Sequence, residues 1–172
     1  MIIRTERLSI RPIVEGDWKA VKAIWEGFYK SQYAQYDMPH NTDDEDIQKR
    51  MAKWEKANEG TDHMFFAVCL QEVVIGYIAF NKRSDSYEIG YCFHSDYARK
   101  GYARESHTAL FAHMKNLGIK KLSARTAIRN LPSVSLLKSL GFYQTGTEKV
   151  SFYRDSQSND ILFDGGIFQL DL

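Results

Sequence analysis

Two strand-like runs separated by only two residues lie near the middle of the chain. Met64–Leu70 and Val73–Phe80 are rich in β-branched and aromatic residues, and Gln71-Glu72 is all that stands between them. Such residues favour extended backbone, and a two-residue connection is typical of an antiparallel hairpin. After the turn-rich segment 82–86, a third strand is predicted over Tyr87–Phe93. The fold is therefore expected to contain three consecutive strands at its centre.

Two helices are predicted before this hairpin. A short strand over Leu8–Pro12 comes first along the chain. The helix start signal at 15–17 follows it and precedes apolar residues with the spacing of a first helix, namely Trp18, Val21, Ile24, Trp25 and Phe28. A second helix is expected from about residue 43 to residue 58, because Thr42 and Glu45 form a capping-box pattern ahead of apolar residues at helical spacing.

The second half of the chain alternates helices and strands. A long amphipathic helix is predicted over 103–117, followed by a strand over Lys121–Ile128. Asn130 opens a short helix that Gly141 ends. Two late strands, Gln144–Tyr153 and Gly166–Leu172, complete the order β-α-α-β-β-β-α-β-α-β-β. This order predicts an α/β fold with a mixed sheet, in a single domain that covers residues 1–172.

Charge and composition narrow the classes of function. The 172 residues include 23 Lys and Arg against 22 Asp and Glu, a net charge of +1, which removes the broad electrostatic argument for a nucleic-acid or membrane-surface protein. No apolar run approaches the roughly 20 residues that span a bilayer, and charges occupy the N-terminus where a signal peptide needs apolar residues. A cytoplasmic protein is expected, with no membrane and no nucleic-acid partner.

The cysteines and histidines do not predict a metal site. Cys69 and Cys92 lie in apolar strand-like runs and are expected to be buried structural thiols. The five histidines show no paired ligand spacing with each other or with the cysteines. No metal is therefore predicted.

The segment most informative about chemistry runs from Glu88 to Arg104, where a strand passes through a polar turn into a helix at Gly101. The first backbone N–H groups of a helix have no partner in that helix and carry the positive end of its dipole, so they bind anions. Arg99, Lys100 and Arg104 add positive charge beside them, as expected for a ligand with several phosphate charges. Taken alone, the segment fits equally well a glycine-containing turn with solvated basic residues.

A second segment, Asn130-Leu-Pro-Ser133 followed by Leu136-Leu-Lys-Ser-Leu-Gly-Phe142, comes one strand later. Together the two segments resemble the GNAT superfamily of acyl-CoA-dependent N-acyltransferases, and the resemblance covers nearly the whole chain. Thr5–Pro12 and Glu88–Tyr91 are similar to the RimJ/RimL-type branch, which acetylates N-terminal amines of ribosomal proteins. The resemblance implies a GNAT-like fold and an N-acetyltransferase that uses acetyl-CoA as its cosubstrate and an amine as acceptor.

The resemblance also implies which residues bind coenzyme A. In the family, the segment corresponding to 99–104 wraps the pyrophosphate, which implies binding by Arg99, Lys100, Gly101, Tyr102, Ala103 and Arg104. Ala98 stands where a polar Gln or Arg is expected, so one side-chain contact is missing or supplied by Arg99. Phe93 matches the strand position whose backbone pairs with the pantetheine arm, while Asn130 and Ser133 match positions that face the pantetheine and the thioester.

Amide formation needs a base for the amine, a donor for the oxyanion and an acid for the thiolate. Glu88 is the nearest candidate base, although a carboxylate merely exposed on one strand face explains it equally well. A backbone N–H near Cys92 and Phe93, exposed by a local bulge, is expected to stabilise the oxyanion. Many members have a tyrosine as the acid where this chain has Leu137, and the resemblance suggests the Ser133 hydroxyl instead. A serine near a helix start is otherwise usually a cap.

The acceptor and the oligomeric state are less constrained. Tyr33, Tyr36 and Tyr153 are expected to border the acceptor, which is an N-terminal α-amine of a protein or peptide, or a small-molecule amine; half-buried packing of these tyrosines is the alternative. Leu137 and Ala98 also motivate a non-catalytic acyl-CoA-binding module. A homodimer is a further hypothesis, formed by pairing of the alternating C-terminal strand.

Overall fold

The central hairpin predicted from the sequence lies in the middle of an eight-stranded sheet. A computed structural model describes residues 1–172 and confirms the hairpin in antiparallel register. The strands are β1 (Ile3–Arg4), β2 (Leu8–Pro12), β3 (His63–Leu70), β4 (Val73–Lys82), β5 (Tyr87–Phe93), β6 (Lys121–Ala127), β7 (Tyr143–Arg154) and β8 (Asp160–Asp171). The α-helices are α1 (Trp18–Tyr29), α2 (Asp44–Ala57), α3 (Tyr102–Asn116) and α4 (Leu131–Ser139).

The sheet is antiparallel except at one place. Its strand order is β1-β2-β3-β4-β5-β6-β8-β7, and only β5 and β6 run parallel. These two strands pair over just three positions, from Tyr87 opposite Leu122 to Ile89 opposite Ala124. Beyond Ile89 they separate, so a split opens in the sheet toward the carboxyl end of β5.

Alternating side chains of the strands form a core on each face of the sheet. On one face, Val21, Ile24 and Trp25 of α1 and Ile47 and Met51 of α2 pack against the strands. On the other face, α3 and α4 pack against the strands through the buried side chains of Leu110, Phe111, Met114 and Leu137. Most of the apolar residues at helical spacing in the first three predicted helices are thus buried against the sheet, whereas Leu117 at the end of α3 is 56% exposed.

Several boundaries differ from the predicted ones. A two-residue strand, β1, precedes the first predicted strand, because so short an element leaves no period in the sequence. Asp43, and not Thr42, caps α2, since its carboxylate accepts the N–H groups of Glu45 and Asp46. The last strand begins at Asp160 and not at Gly166, because its polar first half pairs with β7.

The C-terminal strand is not available for pairing between two copies of the chain. Over residues 165–169, β8 is bonded to β6 on one side and to β7 on the other. The prediction that this strand pairs across a dimer is therefore wrong, and β7 is the edge strand at that side of the sheet. None of the four α-helices is long and apolar enough to cross a membrane.

Candidate active site

The split between β5 and β6 exposes backbone donors that face the gap. The N–H of His94 donates to the carbonyl oxygen of Ile75 on β4 at 2.9 Å. Because N–H directions alternate along a strand, the N–H groups of Tyr91 and Phe93 point the other way, toward the gap. The register between β4 and β5 is continuous through Phe93, so the bulge expected near Cys92 is absent. The separation of two parallel strands exposes these donors instead.

The turn after β5 leads directly into the N-terminus of α3. A 3-10 turn at Ser95–Tyr97 is capped by the His94 ring, whose Nδ1 accepts the N–H of Asp96 at 3.3 Å. Arg99 and Gly101 both have left-handed backbone, with φ of 60° and 83°. No side chain caps α3, in contrast to α2 and α4, so its first N–H groups remain free for a ligand.

Positive charge surrounds these free N–H groups. Arg99, Lys100 and Arg104 are all exposed. Lys100 Nζ donates to the carbonyl oxygen of Asp96 at 3.0 Å, which holds the ammonium beside the turn without neutralising it. All three predicted cations therefore lie at the helix N-terminus with their charge available to an anion.

The N-terminal segment braces this turn, a role that sequence reasoning missed. Arg7 donates from Nη1 to the carbonyl oxygen of Lys100 at 2.9 Å, and its guanidinium lies 4.5 Å from the ring centre of Tyr102. Arg7 also pairs with Glu105 at 2.7 Å, and the Thr5 hydroxyl donates to the same carboxylate at 2.6 Å. Burial alone raises the pKa of Glu105, but the hydrogen bonds from Thr5 and Arg7 outweigh it and hold the pKa below its usual value.

A pair of hydroxyl groups joins β5 to α4 across the split. Asn130 caps α4 through its side chain, which accepts the N–H of Ser133 at 3.4 Å. The Ser133 hydroxyl is therefore not needed as a cap, and its Oγ lies 2.7 Å from the hydroxyl oxygen of Tyr91. Burial raises the pKa of Tyr91 to about 12. Leu137 is fully buried one turn later and contributes no polar group.

Glu88 lies on the opposite face of β5 from Tyr91. Its carboxylate pairs with Arg83 at 2.9 Å and with Arg125 Nε at 3.4 Å, and Arg125 also pairs with Glu148 at 3.2 Å. The structure therefore does not bring Glu88 and Ser133 together on one face. The Glu88 carboxylate and the Ser133 hydroxyl instead lie on opposite sides of the sheet.

An open cleft of about 470 Å³ lies beside the gap, between β6, β7, β8 and a 3-10 turn at Ala34–Tyr36. Tyr36 lines this cleft and packs edge-on against Phe163, 5.3 Å between ring centres. Tyr153 borders it indirectly, with its hydroxyl 3.5 Å from the carbonyl oxygen of Ala34. Tyr33 does not line the cleft, and its backbone carbonyl closes the 3-10 turn. Only one of the three predicted tyrosines thus faces it directly.

The two cysteines are free thiols with raised pKa values. Cys69 is buried in β3, and burial raises its pKa. Burial also raises the pKa of Cys92 to about 12, so this thiol stays protonated at neutral pH. Neither thiol is an activated nucleophile, which favours direct attack by the acceptor over a covalent cysteine intermediate.

The residues around the split suit coenzyme A. Free N–H groups at the start of α3 and three uncompensated cations match a diphosphate, and the unpaired edge of β5 matches an extended arm that bears amide groups. The hydroxyl pair of Tyr91 and Ser133 lies across the same gap.

Comparisons with known proteins agree with this geometry. Residues 7–143 match the model of the acetyltransferase (GNAT) domain. The chain is 31% identical over 151 residues to YnaD of Bacillus subtilis (strain 168), described as an uncharacterized N-acetyltransferase, with 85% of each chain covered. The crystal structure of a GNAT-family acetyltransferase from Bacillus anthracis aligns with a TM-score of 0.78 and 26% identity, over 99% of this chain and 98% of that one.

Two further solved structures share the fold at lower identity. RimL, a ribosomal L7/L12 α-N-protein acetyltransferase in complex with coenzyme A, aligns with a TM-score of 0.85 and 18% identity, over 100% of this chain and 98% of that one. Ribosomal-protein-S5-alanine acetyltransferase from Vibrio fischeri aligns with a TM-score of 0.81 and 18% identity, over 99% of this chain and 96% of that one. The domain match, the relative from Bacillus subtilis and the mixed sheet with its split establish that the chain belongs to the GNAT family of acetyl-CoA-dependent N-acetyltransferases.

Proposed function

We propose that the chain transfers the acetyl group of acetyl-CoA to the N-terminal α-amine of a protein or peptide, and that residues 1–172 act as one catalytic domain. The observation that carries this proposal is the open cleft beside the split, whose wall includes the bulge of β7 between Val150 and Tyr153. A bulge leaves backbone groups without a partner in the neighbouring strand, and such groups hydrogen-bond an extended peptide. A small-molecule amine has no peptide backbone with which to make these hydrogen bonds.

The walls of the cleft support a cationic acceptor with an apolar neighbouring side chain. β7 bulges between Val150 and Tyr153, and Ser151 and Phe152 within the bulge line the cleft. Asp37 adds a carboxylate whose one ion-pair neighbour is His40, at 3.5 Å. An ammonium group at the start of a peptide is attracted to this carboxylate, while its first side chain contacts the aromatic wall. The structural similarity to two ribosomal-protein acetyltransferases, one of them an α-N-protein acetyltransferase, agrees with this acceptor class.

The proposed roles follow from the position of each group around the split. Bound acetyl-CoA supplies the acetyl thioester. Glu88 takes a proton from the acceptor ammonium, directly or through water, and its ion-pair partner Arg125 lines the cleft. One of the N–H groups of Tyr91 and Phe93 stabilises the oxyanion, and Ser133 offers its hydroxyl to the leaving sulfur. The cytoplasmic location and a homodimer stay predictions.

The acceptor class is tested by release of coenzyme A thiol with a panel of amines. Peptides with a free N-terminus are expected to give time-dependent thiol release, whereas the same peptides with an N-acetyl group are not. Polyamines and aminoglycosides are the comparison, because they offer amines without a peptide backbone. Fast release with the small amines and none with the peptides would overturn the peptide assignment and establish a small-molecule acetyltransferase.

A further inference from the structure

Under the proposed function, the hydrogen bond between Tyr91 and Ser133 lies beside the leaving sulfur of the thioester. The two residues are 42 positions apart in sequence, yet their hydroxyl oxygens are 2.7 Å apart across the split. The Tyr91 ring is held edge-on against His107, with 4.8 Å between ring centres and an angle of 88°. The phenol is thus fixed in orientation, and its hydroxyl contacts Ser133.

The hydrogen bond has a preferred direction. A phenol is a stronger acid than an aliphatic alcohol, so Tyr91 is the better donor and Ser133 Oγ the acceptor. Asn130 already caps α4, so no helix N–H group occupies the Ser133 oxygen. With its oxygen accepting from Tyr91, the hydroxyl proton of Ser133 is left free to point at a third atom in the gap.

We propose that Tyr91 is a positioning residue that aims the Ser133 proton at the leaving sulfur and replaces that proton as it is transferred. This inference rests on the proposed acetyl transfer and adds a second group to it. The amine nitrogen forms the new bond to the carbonyl carbon, and the C–S bond breaks with its electron pair remaining on sulfur. Sulfur takes the Ser133 proton, and Ser133 takes the Tyr91 proton. Water returns a proton to the Tyr91 phenolate, which balances the proton that the amine loses.

The acidity of the three groups shows why a serine alone is insufficient. An aliphatic hydroxyl ionises near the pKa of water, about 16, whereas a thiol ionises at about 8.5. Transfer from Ser133 alone to the thiolate is therefore unfavourable by about seven powers of ten. With the negative charge ending on Tyr91, whose pKa is about 12, the penalty falls to between three and four powers of ten. Tyr91 thus compensates for the tyrosine that is missing at Leu137.

Kinetics of single and double variants test this relay. Tyr91→Phe is expected to lower kcat by on the order of tenfold to 100-fold while leaving KM for acetyl-CoA within about twofold. The double variant Tyr91→Phe/Ser133→Ala is expected to be no slower than Ser133→Ala alone, because both groups act through one proton. Tyr87→Phe is the matched control, since Tyr87 lies on the same face of β5. Unchanged kcat in Tyr91→Phe, or effects that multiply in the double variant, would overturn the relay.

A second measurement requires no turnover and separates the two proposals. The pKa of the thiol of bound coenzyme A is measured from the ultraviolet absorbance of its thiolate, against the unliganded protein. The relay donates a hydrogen bond to the thiolate, so the bound thiol pKa is expected to be lower in the wild type than in Tyr91→Phe. If this difference is seen but no amine is acetylated, the relay stands and the proposed function fails. If amines are acetylated but the two thiol pKa values agree, the relay fails alone.

Discussion

His107 is a buried histidine on α3 whose ring is only half satisfied by hydrogen bonds. Its Nδ1 lies 2.7 Å from the carbonyl oxygen of Ala103, which only accepts, so Nδ1 carries the proton. Nε2 is buried without a partner, and the ring packs against Tyr91, Phe93 and Phe111. Burial lowers the pKa of His107 to about 4, although the hydrogen bond to Ala103 acts in the opposite direction. His107 is therefore neutral at physiological pH and supports the ring of Tyr91.

The buried, neutral His107 is expected to make the stability of the fold sensitive to acid. Its folded pKa lies below the ordinary 6.5, so the unfolded chain binds the extra proton between pH 6.5 and about 4. The contribution of the neutral His107 ring to the free energy of unfolding is fully present above pH 6.5. It is lost as the pH falls through this window, at up to about 1.4 kcal/mol per pH unit and about 3 kcal/mol in all. Urea unfolding against pH is expected to show a shallower acid decline for His107→Leu than for wild type. His113→Leu, on the same helix, is the control, and equal slopes in wild type and His107→Leu would contradict the prediction.

At the scale of elements, the turn between β5 and α3 is held from outside by the chain's N-terminal segment. The guanidinium of Arg7 lies against the backbone of Lys100 and the ring of Tyr102, and a Cβ added to Gly101 would lie 3.2 Å from Arg7 Nη2. Gly101 has φ of 83°, a conformation that costs other residues about 1 to 2 kcal/mol. The turn thus needs glycine both for its backbone conformation and for its tight neighbour, at the place where a phosphate is expected.

Gly101→Ala is predicted to weaken coenzyme A binding in addition to destabilising the fold. Gly118 provides the matched control, because its φ is 84° and nothing lies within 4 Å of an added Cβ. Both variants are expected to lose about 1 kcal/mol of unfolding free energy. Only Gly101→Ala is expected to lose affinity by on the order of tenfold, since the displaced turn misaligns its N–H groups. Calorimetric titration with coenzyme A distinguishes them, and equal affinities would show that the turn is not the phosphate site.

At the scale of the whole molecule, the split is the one interruption between neighbouring strands near the middle of the sheet. β4 and β5 pair over seven positions, whereas β5 and β6 pair over three. A ligand that bridges β5, α3 and α4 therefore connects both halves of the sheet. We expect its binding energy to stabilise the fold as a unit.

Acetyl-CoA is predicted to raise the melting temperature by about 5 to 10 °C at about 100-fold over its dissociation constant. At that concentration, ligand binding adds about 2.7 kcal/mol to the free energy of unfolding. For a chain of this size, each kcal/mol raises the melting temperature by about 2 to 4 °C. Hydrogen exchange is expected to slow at residues 91–106 and 130–137. Slowed exchange confined to other parts of the sheet would place the ligand elsewhere and contradict the site described above.

Local sequence signals determined the order of the four helices and of every strand except β1, together with part of the site. The hairpin at 71–72, the turn at Gly101 and the Asn130 cap are all encoded within a few residues, so periodicity and capping rules find them. The family resemblance carried the GNAT assignment, and the domain match confirms it.

Contacts between distant residues were decided only by the tertiary structure. Arg7 hydrogen-bonds to Glu105, which is 98 positions away in sequence, and Tyr91 hydrogen-bonds to Ser133, which is 42 positions away. The separation of β5 from β6 and the interior position of β8 also depend on how strands pair, which no single segment records. Local rules report what a segment does by itself, whereas a hydrogen bond between two segments exists only once packing has brought them together.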